Sequence, residues 1–214
     1  MKGLLILFFF IVHFSTCVCQ GWRTELYAGP NTCNVMRLRQ GQQVLYKHTL
    51  NAPLWNIGFQ VGINESKTLS ERFELSVGGR IQLRGDKKGT NLIYPYQDTV
   101  SLRLYYLLFP VNIRYKLLKS ENIYFQFGIS PDFLLAQKKV GEGTNLIPEG
   151  NGFGITGQTG FKFCFNKKYA FEAMYSQSVI SFYTADLGNS PIGPTLKYFH
   201  QAFELTLIRS FNEN

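Results

Sequence analysis

Between residues 55 and 83 the chain alternates, one residue at a time, between two chemistries. In WNIGFQVGI the odd positions are Trp55, Ile57, Phe59, Val61 and Ile63, and the even ones are Asn56, Gly58, Gln60 and Gly62. After NESKTLS the alternation resumes in RFELSVGGRIQL, with Phe73, Leu75, Val77, Ile81 and Leu83 set against Glu74, Ser76, Gly78, Arg80 and Gln82. A period of two demands extended strands, because successive side chains leave a strand on opposite faces. Two such runs across a polar joint predict an antiparallel hairpin. One face is large and apolar, and the other is small, polar and charged with both signs. The fold is decided by which of them points inward.

The same pattern recurs along the chain. Strands are expected at 22–34, 55–63, 73–83, 102–116, 123–138, 153–165, 169–176 and 199–211, an even number of eight. In the fourth, the earlier half is apolar on both faces from Leu104 to Leu108; a phase slip near Tyr105–Leu107 predicts a bulge there, with Pro110 fitting the same irregularity. No stretch keeps helical period over a useful length. With 214 residues, one all-β domain is the natural reading.

Residues 1–19 read as a secretory signal, and 20–214 as the domain. Lys2 gives the charged start, and LLILFFFIV gives an apolar core too short to span a bilayer as a helix. Cleavage is expected before Gln20, with lipoprotein processing at Cys17 as the alternative. Of the four cysteines, Cys33 and Cys164 then remain. They are distant in sequence and are expected to stay unbridged, although export permits a disulfide. No other apolar run reaches the ~18 residues of a spanning helix, so any membrane crossing must be by strands.

Three features turn the apolar face outward. The connections after the second, fourth and sixth strands are short (NESKTLS, LLKSEN, NKK), and those after the first, third, fifth and seventh run to a dozen residues or more. In an up-and-down barrel all short turns then fall at one end, as in outer-membrane barrels. The polar faces bring Glu74, Arg80, Arg114, Asp132, Lys162, Glu172 and Glu204 together among Gln and Gly. An eight-stranded barrel is just wide enough for side chains to fill, so these seven are the candidate lumen network. Trp22, Trp55, Phe73, Tyr115, Tyr169, Phe199 and Phe211 fall near strand ends, where interface girdles sit. A soluble barrel or sandwich with the apolar face inside fits period two equally well. It leaves the loop asymmetry unexplained.

Chemistry is sparse. His48 lies in an expected outer loop. His200 shares a face with Glu204, with no serine two residues away, so neither catalytic nor metal-binding residues are expected, and no cofactor. Glu74/Arg80 and Glu172/Lys162 are read as charge pairs filling the lumen. The net charge of +8 is spread along the chain, not gathered into the stripe that nucleic acid requires.

The segments YYLLFPVNIRYKLL and NIYFQFGISPDFLLAQKK, with GITGQTGFKF and a last strand ending at Phe211, resemble the PorT-like outer-membrane β-barrel proteins of Bacteroidetes. Phe109-Pro110 and Arg114-Tyr115 match that family's Pro-containing strand, and Gly128 to Pro131 its Gly-rich one. Leu108 stands where the family often has Glu. The resemblance implies an integral outer-membrane barrel, with outer-membrane lipid and lipopolysaccharide around it and the barrel-assembly machinery as a partner during insertion. It implies no activity. The function expected is a non-enzymatic barrel that displays loops or supports envelope assembly or transport. The alternatives are a small porin or hydrophobic-ligand carrier, an accessory protein of secretion or gliding, and a lipid-modifying enzyme.

Overall fold

The computed structural model describes residues 21–39, 56–89, 100–117, 122–140, 152–181, 183–186 and 195–211. The expected signal at 1–19, Trp55, His48 and most of the long connections lie outside the described residues. Ten strand segments are present: β1 Trp22–Arg39, β2 Asn56–Thr68, β3 Phe73–Gly89, β4 Val100–Leu108, β5 Val111–Lys116, β6 Ile123–Val140, β7 Phe153–Cys164, β8 Tyr169–Ser178, β9 Tyr183–Asp186 and β10 Thr195–Phe211. β4 and β5 form one wall strand between β3 and β6, and β8 and β9 share β10 as neighbour. Eight wall strands result, each antiparallel to the next, and β1 pairs with β10 to close the sheet. The described residues contain no helix.

The registers fix the barrel's shape. From Thr32 the pairing runs to Phe203, Tyr175, Thr159, Phe127, Ile113, Leu75 and Lys67, and returns to β1 at Trp22. The start and finish differ by ten residues, so the shear number is ten. With eight strands, that stagger inclines the strands by about 40° to the axis. The interior is then a narrow shaft that side chains can fill.

The alternation is realised with the apolar face outward. Ile57 is 75 % exposed and Phe59 53 %, whereas Arg80 is 2 % exposed and Glu172 is fully buried. On β3 the outward apolar residues run from Phe73 to Leu83. Ten residues at ~3.4 Å, inclined by ~40°, give a band roughly 26 Å tall.

Several sequence expectations shift. Asn64 to Thr68 continue β2, so the first short turn is only residues 69–72. Asn64 and Ser66 are buried in the lumen, which is why NESKTLS looked like a loop: its alternation is polar inside and polar outside. β3 continues to Gly89, β1 to Arg39, and β10 begins at Thr195.

The fourth wall strand shows no phase slip: Leu104, Tyr106, Leu108, Pro110, Asn112 and Arg114 are buried without a break. The bulge lies on the facing strand. Tyr105 pairs with Ala136 and Tyr106 with Leu134, leaving Leu135 as the extra residue on β6. The interruption at Phe109–Pro110 has a separate cause. Gly78 N–H donates to Pro110 O (3.1 Å) and Phe109 N–H to Pro131 O (3.0 Å), and neither proline has an N–H to return. Adjacent rungs on both sides of the strand therefore lose one bond each.

Inward glycines make room for inward polar side chains. Asn31 faces Gly58, Asn64 faces Gly78 and Asn112 faces Gly128 on the neighbouring strand. Arg80 lies across Gly62 in the same way. A Cβ on Gly128 would strike the Asn112 side-chain oxygen and the Val111 carbonyl. Gly128→Ala is therefore expected to lower stability by about 1–3 kcal/mol through overpacking, read from urea unfolding in lipid vesicles. An unchanged midpoint would show that the lumen is slack at this level.

Candidate functional site

The lumen is the chemically distinctive part of the molecule. Each strand delivers one side chain per two residues to the axis, and the shear staggers them into layers. Nearest the short turns, Glu25 of β1 is the hub. Its carboxylate accepts from Arg23 Nη2 (3.0 Å), Lys162 Nζ (2.5 Å), Arg114 Nη1 (3.0 Å) and the Tyr27 hydroxyl (2.8 Å). Glu74 is bonded by Arg114, its cross-strand neighbour, and by Arg23 Nη2 (2.8 Å), with Lys162 Nζ at 3.7 Å. Arg114 also donates Nε–H to Gln126 Oε1 (3.0 Å) and bonds the Tyr27 hydroxyl.

Midway, Arg80 bridges Glu172 (3.3 Å) and Glu204 (3.8 Å), and its guanidinium lies 4.3 Å from the Tyr27 ring centroid. Arg114 reaches Glu172 at 3.7 Å, joining this layer to the one below. Ser176 donates to Glu204 (2.7 Å), and Gln60 Nε2 to Thr206 Oγ1 (2.8 Å). Toward the long connections, Arg84 donates to Asp132 (2.8 Å), Gln82 (2.6 Å) and Thr156 (3.3 Å). Tyr106 OH meets His200 Nε2 at 3.1 Å.

All seven residues singled out from sequence are buried in this shaft: Glu74, Arg80, Arg114, Asp132, Lys162, Glu172 and Glu204. Their partners differ from the pairs expected. Glu74 meets Arg114 and not Arg80; Lys162 meets Glu25 and Glu74, while Glu172 meets Arg80 and Arg114. Staggered layers set contact by depth, and a strand list does not carry depth. Glu25, Arg23, Tyr27 and Arg84 were missed as network members. Arg84 is two residues beyond Gln82 on the same face, so extending the alternation past Leu83 would have found it.

Among the described residues the buried cations are Arg80, Arg84, Arg114 and Lys162, and the buried anions are Glu25, Glu74, Asp132, Glu172 and Glu204; with half-buried Arg23 at the mouth, their charges sum to zero. Buried charge is tolerated only when paired and hydrogen-bonded; every member of this set has an ion-pair partner, while Arg80 Nε, Arg84 Nη2, Asp132 Oδ1 and Glu172 Oε2 lack a hydrogen bond among the described residues.

For chemistry the arrangement offers little. The Ser178 hydroxyl accepts the His200 backbone N–H (3.2 Å), and Asp132 is engaged by Arg84 and Thr156. Among the described residues, no group of three or more His, Cys, Asp or Glu is placed to hold a metal ion. Cys33 and Cys164 are not joined by a disulfide.

The outer rim at the short-turn end carries aromatics backed by basic groups. Lys67 lies 5.8 Å from the Trp22 ring centroid and Arg209 5.0 Å from that of Phe211, and Arg72 donates to the Tyr115 hydroxyl (3.0 Å). The rings of Phe73 and Tyr115 meet at a 51° tilt with centroids 5.2 Å apart.

A closed all-β barrel with an apolar exterior, a paired charged interior and an aromatic rim is a transmembrane β-barrel. The family described as "Outer membrane protein beta-barrel domain" matches residues 15–184, and the chain belongs to it. Its place is the outer membrane. Among solved structures it is similar to neisserial surface protein A (8% identity, 87% of this chain and 97% of that one, TM-score 0.47). It is also similar to Ail, the attachment invasion locus protein of Yersinia pestis (10%, 90% and 100%, 0.43), and to OprG of Pseudomonas aeruginosa (8%, 90% and 97%, 0.42). No curated protein sequence matches the chain.

Proposed function

We propose that this barrel is a non-enzymatic, non-conducting scaffold that displays its long connections outside the cell. The observation that carries the reading is the plug of Glu25, Glu74, Arg114 and Lys162, fully paired and buried across the shaft. An ion crossing it would have to displace charge-assisted hydrogen bonds at several levels in turn. The wall supports display as well. β1 and β6 are 18 residues long and β3 and β10 are 17, whereas about 9–11 cross a bilayer. The excess lies beyond the apolar band at the long-connection end. The finer affiliation with PorT-like barrels rests on the segments quoted above, and support of envelope assembly belongs with it.

Single-channel recording in planar bilayers tests this. The purified chain is expected to stay electrically silent across ±100 mV. Stepwise conductance that scales with salt would replace the scaffold by a small porin.

A further inference from the structure

The apolar exterior stops at one level on the long-connection side. On β3 it ends at Leu83, on β4 at Tyr105, and on β6 at the Leu135 bulge and Ala136. One outward step further, the register sets Gly85, Arg103 and Lys138 in a row. Arg103 and Lys138 lie directly opposite each other on adjacent strands, and both are exposed. Like charges in that relation destabilise a sheet. Neither side chain makes an ion pair or hydrogen bond with the described residues. Their flanks are small: Gly85 has no side chain and Ala136 only a methyl. Among the described residues the two cations thus stand over a notch, with Tyr105 below them.

We propose that this notch binds a phosphate of a phosphorylated outer-leaflet glycolipid of the lipid A type. Opposed Cβ atoms on neighbouring strands are about 5 Å apart, so the guanidinium and ammonium ends reach one tetrahedral anion together. Arginine's planar fork takes two oxygens and the lysine a third. The phosphate is the headgroup of a lipid and not a free ion, because exposed Phe133 and Leu135 continue the wall directly beneath the notch and receive acyl chains. The bound anion removes the repulsion between the two side chains. The inference rests on the outer-membrane reading with the long connections facing outward.

The test uses the full chain in nanodiscs and native mass spectrometry of retained lipid. Bisphosphorylated lipid A is expected to be retained about tenfold better than the dephosphorylated form, and R103Q/K138Q to lose that preference, since hydrogen bonds to a charged group are removed. R103K is expected to restore most of the affinity when Lys138 is kept. Equal retention of the two lipid A forms by the unaltered chain overturns the proposal without any variant. So does retention of phosphatidylglycerol as strong as that of lipid A, or displacement of lipid A by millimolar inorganic phosphate. Heat-modifiable migration of each variant reports that the barrel is folded. Failure of the unaltered chain to fractionate with outer membranes would instead overturn the scaffold reading itself.

Discussion

Arg114→Leu is expected to lower the stability of the folded barrel by about 3–5 kcal/mol, the cost of stripping one partner from a buried ionic cluster. Arg114 is fully buried and touches three carboxylates, Glu25, Glu74 and Glu172, together with Tyr27 and Gln126. Its loss leaves Lys162, Arg23 and Arg80 to neutralise three acids in a space closed to water. Leucine fills much of the volume, so the loss is electrostatic more than steric. Arg114→Lys keeps the charge but cannot reproduce the fork, and is expected to fall between the two. Urea unfolding in phospholipid vesicles, followed by tryptophan emission, gives the numbers. A change below about 1 kcal/mol for Arg114→Leu would mean that water reaches the cluster and the plug is not dry.

That cluster shows how much of the molecule is legible in its sequence. Period two fixed strand identity and face for Gln60, Glu74, Arg80, Gln126, Lys162 and Glu172, because a strand has no other way to arrange its side chains. Depth along the axis was not legible. It comes from the shear, which needs pairing between strands far apart in the chain, such as Thr32 with Phe203. Hence alternation assigns a side chain to the inward face, while the register decides which inward side chains meet. Strand ends were missed where both faces turn polar. Asn64–Thr68 and Arg84–Gly89 read as loops, yet they continue the wall because their backbone bonds are held by neighbours. The bulge was placed on the wrong strand for a related reason. Inward Leu104, Tyr106 and Leu108 break the usual polarity of the lumen, which imitates a change of phase.

Ile129→Arg should cost about 2–4 kcal/mol, the penalty for a cation on the lipid face at the bilayer midplane. Ile129 is 58 % exposed and shares a row with Val111 and Val77, midway along the apolar band of β3. Its side chain touches no part of the charged shaft, so the substitution leaves the lumen network intact. In water the same change at an exposed strand position would be close to neutral. The expected destabilisation therefore has a single source, the hydrocarbon around the wall. Depth supplies the control. Leu69 is 58 % exposed too, but it lies in the first short turn, at the bilayer edge, where arginine costs only about 0–1 kcal/mol. A barrel that inserts as described separates the two variants by roughly 2–3 kcal/mol in vesicle unfolding. A barrel that folds in water with its apolar face bare would show them equal.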